Sequence, residues 1–191
     1  MTHEAFENWA GYLWAALGVV WLLAALRVKA TVRNESSGSR TLHIIVIIVA
    51  FFLIFARLHG LGPLDAQIVP PSFAGDAIGL AATFAGLVFA VWARFVLGRN
   101  WSGTVTMKQG HELIRNGPYR FVRHPIYSGL LLAALGTALI HGRGRDFVGF
   151  GLAFLGWWLK SRTEEKFMVE LFDGEYVEYR RQVKRLVPYV I

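Results

Sequence analysis

The sequence predicts an all-α fold: a polytopic membrane helix bundle of about five transmembrane helices, the last two a short helical hairpin, followed by a C-terminal cytoplasmic amphipathic helix. Composition is the first observation: 191 residues with 54% hydrophobic content and seven Trp, and a mean hydropathy of +0.42, depart from an ordinary soluble domain. A second is that the apolar residues fall into blocks separated by polar connections. The third is that the Lys and Arg side chains collect in alternate connections. Residues 1–191 read as a single membrane domain, with three spans in 1–97 and a more polar half in 98–191.

The first block, Trp9 to Leu26, is an uncharged apolar run of 18 residues, close to the roughly 20 needed to cross the hydrocarbon. An acidic start, with Arg27 and Lys29 directly after the run, argues for a span over a cleaved signal peptide. Val28 to Arg40 is a polar loop, and Thr41 to Ala56 is the second span, with His43 expected at the interface. The segment from Arg57 to Asp76 contains Gly60, Gly62, Pro63, Pro70 and Pro71, too many breakers for a continuous helix. Ala77 to Leu97 is the third span, 21 residues long, with Arg94 near enough to its end to snorkel. Its small residues Gly79, Ala82, Gly86 and Ala90 recur every three to four positions, a spacing that suits close helix packing.

Beyond Gly98 the chain turns hydrophilic until Arg123, and two short apolar blocks follow, Tyr127 to Ile140 and Phe147 to Leu159. Each covers only about 20 Å at about 1.5 Å per residue, so they form a thin or re-entrant hairpin that returns the chain to the side it left. In the tail from Lys160, apolar positions recur through Phe167, Leu171, Tyr176, Tyr179, Val183 and Leu186. That period predicts an amphipathic helix continuing from the last block, broken near Asp173 and Gly174 and ended before Pro188.

The connections at 27–40, 94–123 and 160–185 hold 17 Lys and Arg, against three elsewhere. Because cytoplasmic loops carry that excess, the N-terminus is expected outside, with the central polar stretch and the tail meeting on the cytoplasmic face. The net charge of +7 then serves topology and contact with anionic membrane lipids, not nucleic acid. Absence of Cys excludes disulfides and thiolate chemistry. Six scattered His lack ligand spacing, so no metal site is expected. Glu164 and Glu165 are adjacent, about 100° apart on a helix, and do not aim at one bond as a glycosidase pair would. Lys160 and Glu164, four apart, would form an ordinary helical ion pair.

What remains on that face is a pocket of cations, one interfacial His, Tyr hydroxyls, carboxylates and Trp-rich walls. Such a set suits a small zwitterionic cofactor opposite a lipophilic substrate with an acidic head. Residues 110–127, GHELIRNGPYRFVRHPIY, followed by a short apolar hairpin, Glu164 and Glu165, the 172–176 stretch FDGEY, Tyr179 and Pro188, resemble the isoprenylcysteine carboxyl methyltransferase family and its bacterial and archaeal relatives. The resemblance covers about the last 95 residues.

It implies an integral membrane methyltransferase that uses S-adenosylmethionine. By the same resemblance the cofactor would be bound by His111, Leu113, Ile114, Tyr119, His124, Pro125, Tyr127 and Glu164. The family's substrate-facing basic residue, commonly Arg one turn before that Glu, is Lys160 here, while an Arg stands at Arg162. Lys lacks the bidentate fork that Arg offers a carboxylate. Methyl transfer to an ionised carboxylate needs placement and exclusion of water but no general base. With an amine acceptor, Glu165 or His124 would be the candidate base. Two rivals stay open: a sterol-reductase-like enzyme using a nicotinamide cofactor, and a non-catalytic transport or assembly protein. The motifs specify neither the methyl acceptor nor the oligomeric state.

Overall fold

The computed structural model describes residues 1–25, 31–34, 37–56, 60–98, 101, 106–108 and 113–190. Among the described residues five α-helices carry the fold: α1 (His3–Ala25), α2 (Ser37–Phe55), α3 (Phe73–Leu97), α4 (Pro125–His141) and α5 (Gly144–Gln182). Two short strands, β1 (Thr31–Asn34) and β2 (Thr106–Lys108), pair antiparallel. They are a small addition to the all-helical expectation. Helices α1 and α3 are long and apolar enough to cross a membrane, while the apolar part of α2, Arg40–Phe55, and α4 are shorter.

Several helices begin before their apolar runs do, because polar residues find partners at the ends. His3 opens α1, and its Nδ1 donates at 2.9 Å to the buried Asp76 carboxylate in the first turn of α3. Ser72 caps α3 by accepting from the Gly75 N–H at 3.1 Å, which places the helix start at Phe73 and not Ala77. The breaker-rich segment before it folds into a 3-10 turn at Gly62–Asp65 and packs on the α4–α5 junction. There Gln67 Nε2 donates to Val69 O and His141 O. Gly142 ends α4 at φ 69°, and a Cβ there would lie 2.2 Å from Val69 O, so this turn requires glycine.

The last two helices follow one another through the turn at Gly142 and touch, yet each makes its main contacts with an earlier helix. Helix α4 packs chiefly on α3, and α5 chiefly on α2. Small residues bring α3 and α4 into backbone contact: a Cβ on Gly86 would lie 2.4 Å from Gly129 O, and one on Gly79 2.7 Å from Gly136 O. The second member of the expected stripe is corrected: Thr83, fully buried and in contact with Ala133 O and Thr137 of α4, stands at the seam, while Ala82 is only partly buried. Thr83 donates to Gly79 O at 2.9 Å, and Thr137 opposite donates to Ala133 O. Hydroxyls are thus admitted to the seam because helix carbonyls satisfy them.

Two other expectations are corrected. Arg94 does not snorkel: it is 3% exposed, donates to Gly98 O at 2.8 Å and Ala24 O at 2.7 Å, and lies over the Trp101 ring. Its guanidinium satisfies carbonyls at the ends of both α1 and α3, where no further helical donors remain. His43, expected at the interface, is buried.

Helix α5 runs 39 residues, continuing from the apolar block into the tail as its periodicity indicated. It kinks at Asp173, whose backbone is non-helical at φ 41°, a left-handed value costly for a side chain with a Cβ. The turn aims the last segment back at the start of α4. Val183 is extended, Arg123 N–H donates to Lys184 O at 2.8 Å, and His124 N–H donates to Arg185 O at 3.0 Å.

The helix seam sets a test. Gly86→Ala forces a Cβ into the α4 backbone, and is expected to destabilise by about 1–3 kcal/mol. Gly11→Ala, with open space around the added methyl, is expected to leave the thermal midpoint of detergent-solubilised protein unchanged or slightly raised.

Candidate functional site

The segment 117–129 supplies the first half of the site. A 3-10 turn at Gly117–Arg120 buries Pro118 and Tyr119, and Pro125 then occupies the first turn of α4, where its missing N–H costs nothing. His124 is the residue just before that helix, so its ring is held by a rigid junction. It stacks on Tyr127 one turn on, with centroids 5.6 Å apart and planes 5° from parallel. Tyr127 in turn stacks on Trp157 of α5 at 6.0 Å and 10°. The three rings form a continuous aromatic column from the junction to the core.

Helix α5 supplies the second half. Glu164 Oε2 lies 3.2 Å from His124 Nδ1, and Glu165 Oε1 lies 3.3 Å from Nε2. The adjacent carboxylates therefore hold one imidazole from its two nitrogens, and each ring nitrogen donates when the ring is charged. Tyr127 also donates to Glu164 Oε1 at 2.5 Å. Lys160 Nζ sits 5.6 Å from the Tyr127 ring centroid, and its charge acts on Glu164.

The two carboxylates differ sharply in surroundings. Glu165 is 3% exposed at its side chain and is gripped by cations from separate segments. Arg123 reaches Oε1 at 2.7 Å, Arg185 reaches Oε1 and Oε2 at 3.0 and 2.8 Å, and Arg180 lies 3.6 Å from Oε2. Glu164 is more open, at 20%, and faces the Tyr127 and Lys160 side.

The titrations follow from these contacts, all beyond the apolar part of α5. Burial opposes charge on both carboxyls, but hydrogen bonds from His124, joined by Arg185 at Glu165, hold both below the ordinary range. Burial likewise opposes charge on His124, but its hydrogen bonds to Glu164 and Glu165 outweigh it and raise the imidazole above its usual value. Burial pushes the phenols of Tyr119, Tyr176 and Tyr179 up.

Of the residues the sequence nominated, His124, Pro125, Tyr127, Lys160, Glu164 and Glu165 come together around this column. Tyr119 lies beside it, in a cluster with Ala93, Ile126 and the half-buried Ile114. Its backbone carbonyl accepts from the Tyr179 hydroxyl at 2.5 Å, and its own hydroxyl reaches Ala93 O at 3.4 Å. Leu113 is partly buried just before that segment. Arg162 is exposed and lies over Trp158, turned from the cluster. His111 falls outside the described residues. Sequence reasoning missed Arg123, Arg180 and Arg185 as partners of Glu165. A signal was available: two of the three stand in stretches without helical period, where cations have no helical neighbour to serve.

Helical bundle and boundary cluster together define a membrane-type helical protein whose polar site lies between the α4 N-terminus and the middle of α5. A phospholipid methyltransferase family model matches residues 75–175, the region that contains both halves of the cluster, and the chain belongs to that family. Among curated relatives, it is 32% identical over 116 residues to a probable protein-S-isoprenylcysteine O-methyltransferase of Oryza sativa, covering 59% of this chain and 61% of that one. It is 34% identical over 103 residues to the protein-S-isoprenylcysteine O-methyltransferase of Saccharomyces cerevisiae, covering 51% and 42%. The chain thus spans less than two thirds of the length of either relative. A solved structure of the eukaryotic intramembrane Ras methyltransferase ICMT has a similar fold, with a TM-score of 0.53 at 24% identity, covering 83% of this chain and 55% of that one. These similarities agree with the resemblance read from residues 110–127 and the Glu pair.

Linkage gives the cluster a pH signature. Since the Glu165 carboxyl is depressed on folding, its contribution is complete above its unfolded value and is lost as pH falls through the folded one. Glu165→Gln is expected to cost about 3–5 kcal/mol at neutral pH, as for one partner removed from a buried ion pair. The gap in melting temperature from the parent protein should narrow progressively below about pH 4; a gap constant with pH would show that the carboxylate charge is irrelevant.

Proposed function

We propose that the chain is a membrane-embedded methyltransferase that uses S-adenosylmethionine and methylates the carboxylate of a lipophilic substrate, prenylcysteine-like or another isoprenoid or lipid. Residues 98–191 carry the site, on the cytoplasmic face, with the N-terminus outside and the five helices lying across or within the bilayer. The alternation of Lys and Arg supports that orientation.

The donor set fits this cofactor. When bound it supplies an electrophilic methyl on a sulfonium centre. Glu164, the more open carboxylate, would bind its ammonium group, and Tyr127, stacked between His124 and Trp157, would hold that carboxylate in place. Leu113, Ile114 and Tyr119 supply apolar wall, and His124 with both nitrogens engaged keeps Tyr127 and Glu164 in place. Lys160, one turn before Glu164, is the cation placed to orient an acceptor carboxylate; Arg162 lies over Trp158 instead. Trp157 and Trp158 exclude water from the lipid side.

The single observation that carries the choice of acceptor is that, among the described residues, both candidate bases, Glu165 and His124, are already engaged. Glu165 is bound by Arg123 and Arg185 and held well below the carboxylate range, while His124 has a carboxylate at each ring nitrogen, which raises its titration. Neither suits removing a proton from an amine. A carboxylate acceptor is ionised already. The family model's description, phospholipid methyltransferase, favours a second reading, a phospholipid acceptor; if the group methylated there is an amine, the two differ in pH dependence.

Three measurements test this. S-adenosylhomocysteine should bind the solubilised protein, and Glu164→Gln should weaken it about 10–100-fold, the loss of a hydrogen bond to a charged group; no binding at high micromolar ligand would sink the reading. Lys160→Gln should depress methyl transfer while largely sparing that binding. In assays against prenylcysteine analogues and lipid extracts, a carboxylate acceptor gives a rate nearly flat between about pH 6 and 8, whereas an amine acceptor gives a rate that rises with pH.

A further inference from the structure

We infer that residues Val183–Leu186 form a strap over the site and that Arg185 is its positioning residue, fixing Glu165 so that the His124 ring is held against Tyr127. The inference rests on the reading of His124 and Glu164 as the cofactor side of the site.

The strap is anchored at both faces. Its backbone pairs in parallel with 122–124 through Arg123 N–H to Lys184 O and His124 N–H to Arg185 O. Leu186, 2% exposed, inserts among Ala50, Leu131, Ala153 and Trp157, the last of which ends the aromatic column. Ser128 of α4 donates its hydroxyl to Leu186 O at 2.5 Å, and the Arg123 guanidinium also donates to Val183 O. Between these anchors Arg185 presents a fork to both oxygens of Glu165, a geometry only Arg supplies.

Without that fork Glu165 would have Arg123 and the longer contact to Arg180, and its Oε1 would be shared between Arg123 and His124 alone. The charged and titratable groups around the His124 ring are Glu164, Glu165 and Lys160 from α5, Tyr127 from α4, Arg123 beside it, and Arg180, Arg185 and Tyr176 from beyond or near the kink. Arg185 competes with His124 for Glu165. Its removal therefore strengthens the hold of Glu165 on the imidazole and raises the ring's titration midpoint, while the Glu165–His124 pair, no longer fixed by the fork, shifts together relative to Tyr127. Removing a residue that merely propped the fold would have the opposite effect, since a ring parted from Glu164 and Glu165 drifts toward the ordinary value of about 6.5.

The test uses full-length, His-labelled protein in detergent, read by ring resonances, with His124→Gln assigning the signal among the six His, and by S-adenosylhomocysteine affinity. Arg185→Gln is expected to weaken affinity about tenfold, the scale of one charged hydrogen-bonded contact, and to move the His124 midpoint up. Arg185→Lys, which keeps the charge but not the fork, should restore the midpoint and only part of the affinity. The inference is overturned if Arg185→Gln leaves both unchanged or lowers the midpoint. Should Arg185→Gln not fold, Arg185→Lys with undiminished affinity overturns it equally. If the parent protein binds no ligand, the functional reading fails while the midpoints still decide the strap.

Discussion

Burying the Glu165 carboxylate is the constraint on which the polar half of the protein depends. A carboxylate 3% exposed carries a desolvation cost of several kcal/mol unless cations with good geometry surround it. No single helix face can provide them, because neighbours three and four positions away reach only part of the solid angle around one side chain. The chain recruits them from elsewhere: Arg123 precedes α4, Arg180 follows the kink, and Arg185 lies beyond the end of α5. Satisfying one charge therefore fixes the relative placement of three segments. The left-handed backbone at Asp173 is tolerated because it turns the chain toward that carboxylate.

The apolar half answers to a different constraint, the contact of α3 with α4 through glycines. Lipid offers little hydrophobic drive between helices, so association relies on close packing and satisfied polar groups. With Gly86 against Gly129 and Gly79 against Gly136, α4 has no freedom to slide. Its first residue, and with it His124, is located by that register. The packed seam and the charged cluster are thus linked through one helix: the glycines set where the imidazole stands, and the carboxylates set how it is turned.

Much of this was legible in the sequence, and the misses have physical reasons. Apolar blocks marked the helices because burial in lipid is read off composition, yet polar first turns such as that of α3 were trimmed, since Ser72 and Asp76 look like loop until their partners are known. The small-residue stripe was recognised with one member misplaced. A helical repeat of 3.6 permits either Ala82 or Thr83 after Gly79, and only the carbonyls of Gly79 and Ala133 reveal that a hydroxyl is acceptable there. Arg94 read as a snorkelling cation because nothing local indicates that Ala24 O, seventy residues away, would accept from it. Within the site, the residues with a motif were found, and the Arg partners of Glu165 were not. Arg185 stands twenty positions from Glu165, past a kink, where helical periodicity carries no information.

The adjacency of Glu164 and Glu165 explains how two identical side chains come to differ. A rotation of about 100° per residue points Glu165 toward the returning tail and its guanidinium groups, and Glu164 toward the Tyr127 face and Lys160. Among the described residues the imidazole between them is the one group that contacts both, so it transmits position without being available as a base. In the proposed methyltransferase this division has a chemical consequence. A site that keeps its carboxylates ionised and its imidazole charged can bind and orient ions, but has little capacity to take up a proton. An acceptor that arrives already ionised is what such a site can use, and a Lys in place of a bidentate Arg leaves that acceptor free to rotate about a single point of attraction. Orientation must then come from the acceptor's lipophilic portion, held among the helices, which ties the chemistry at the boundary to the depth of the apolar bundle.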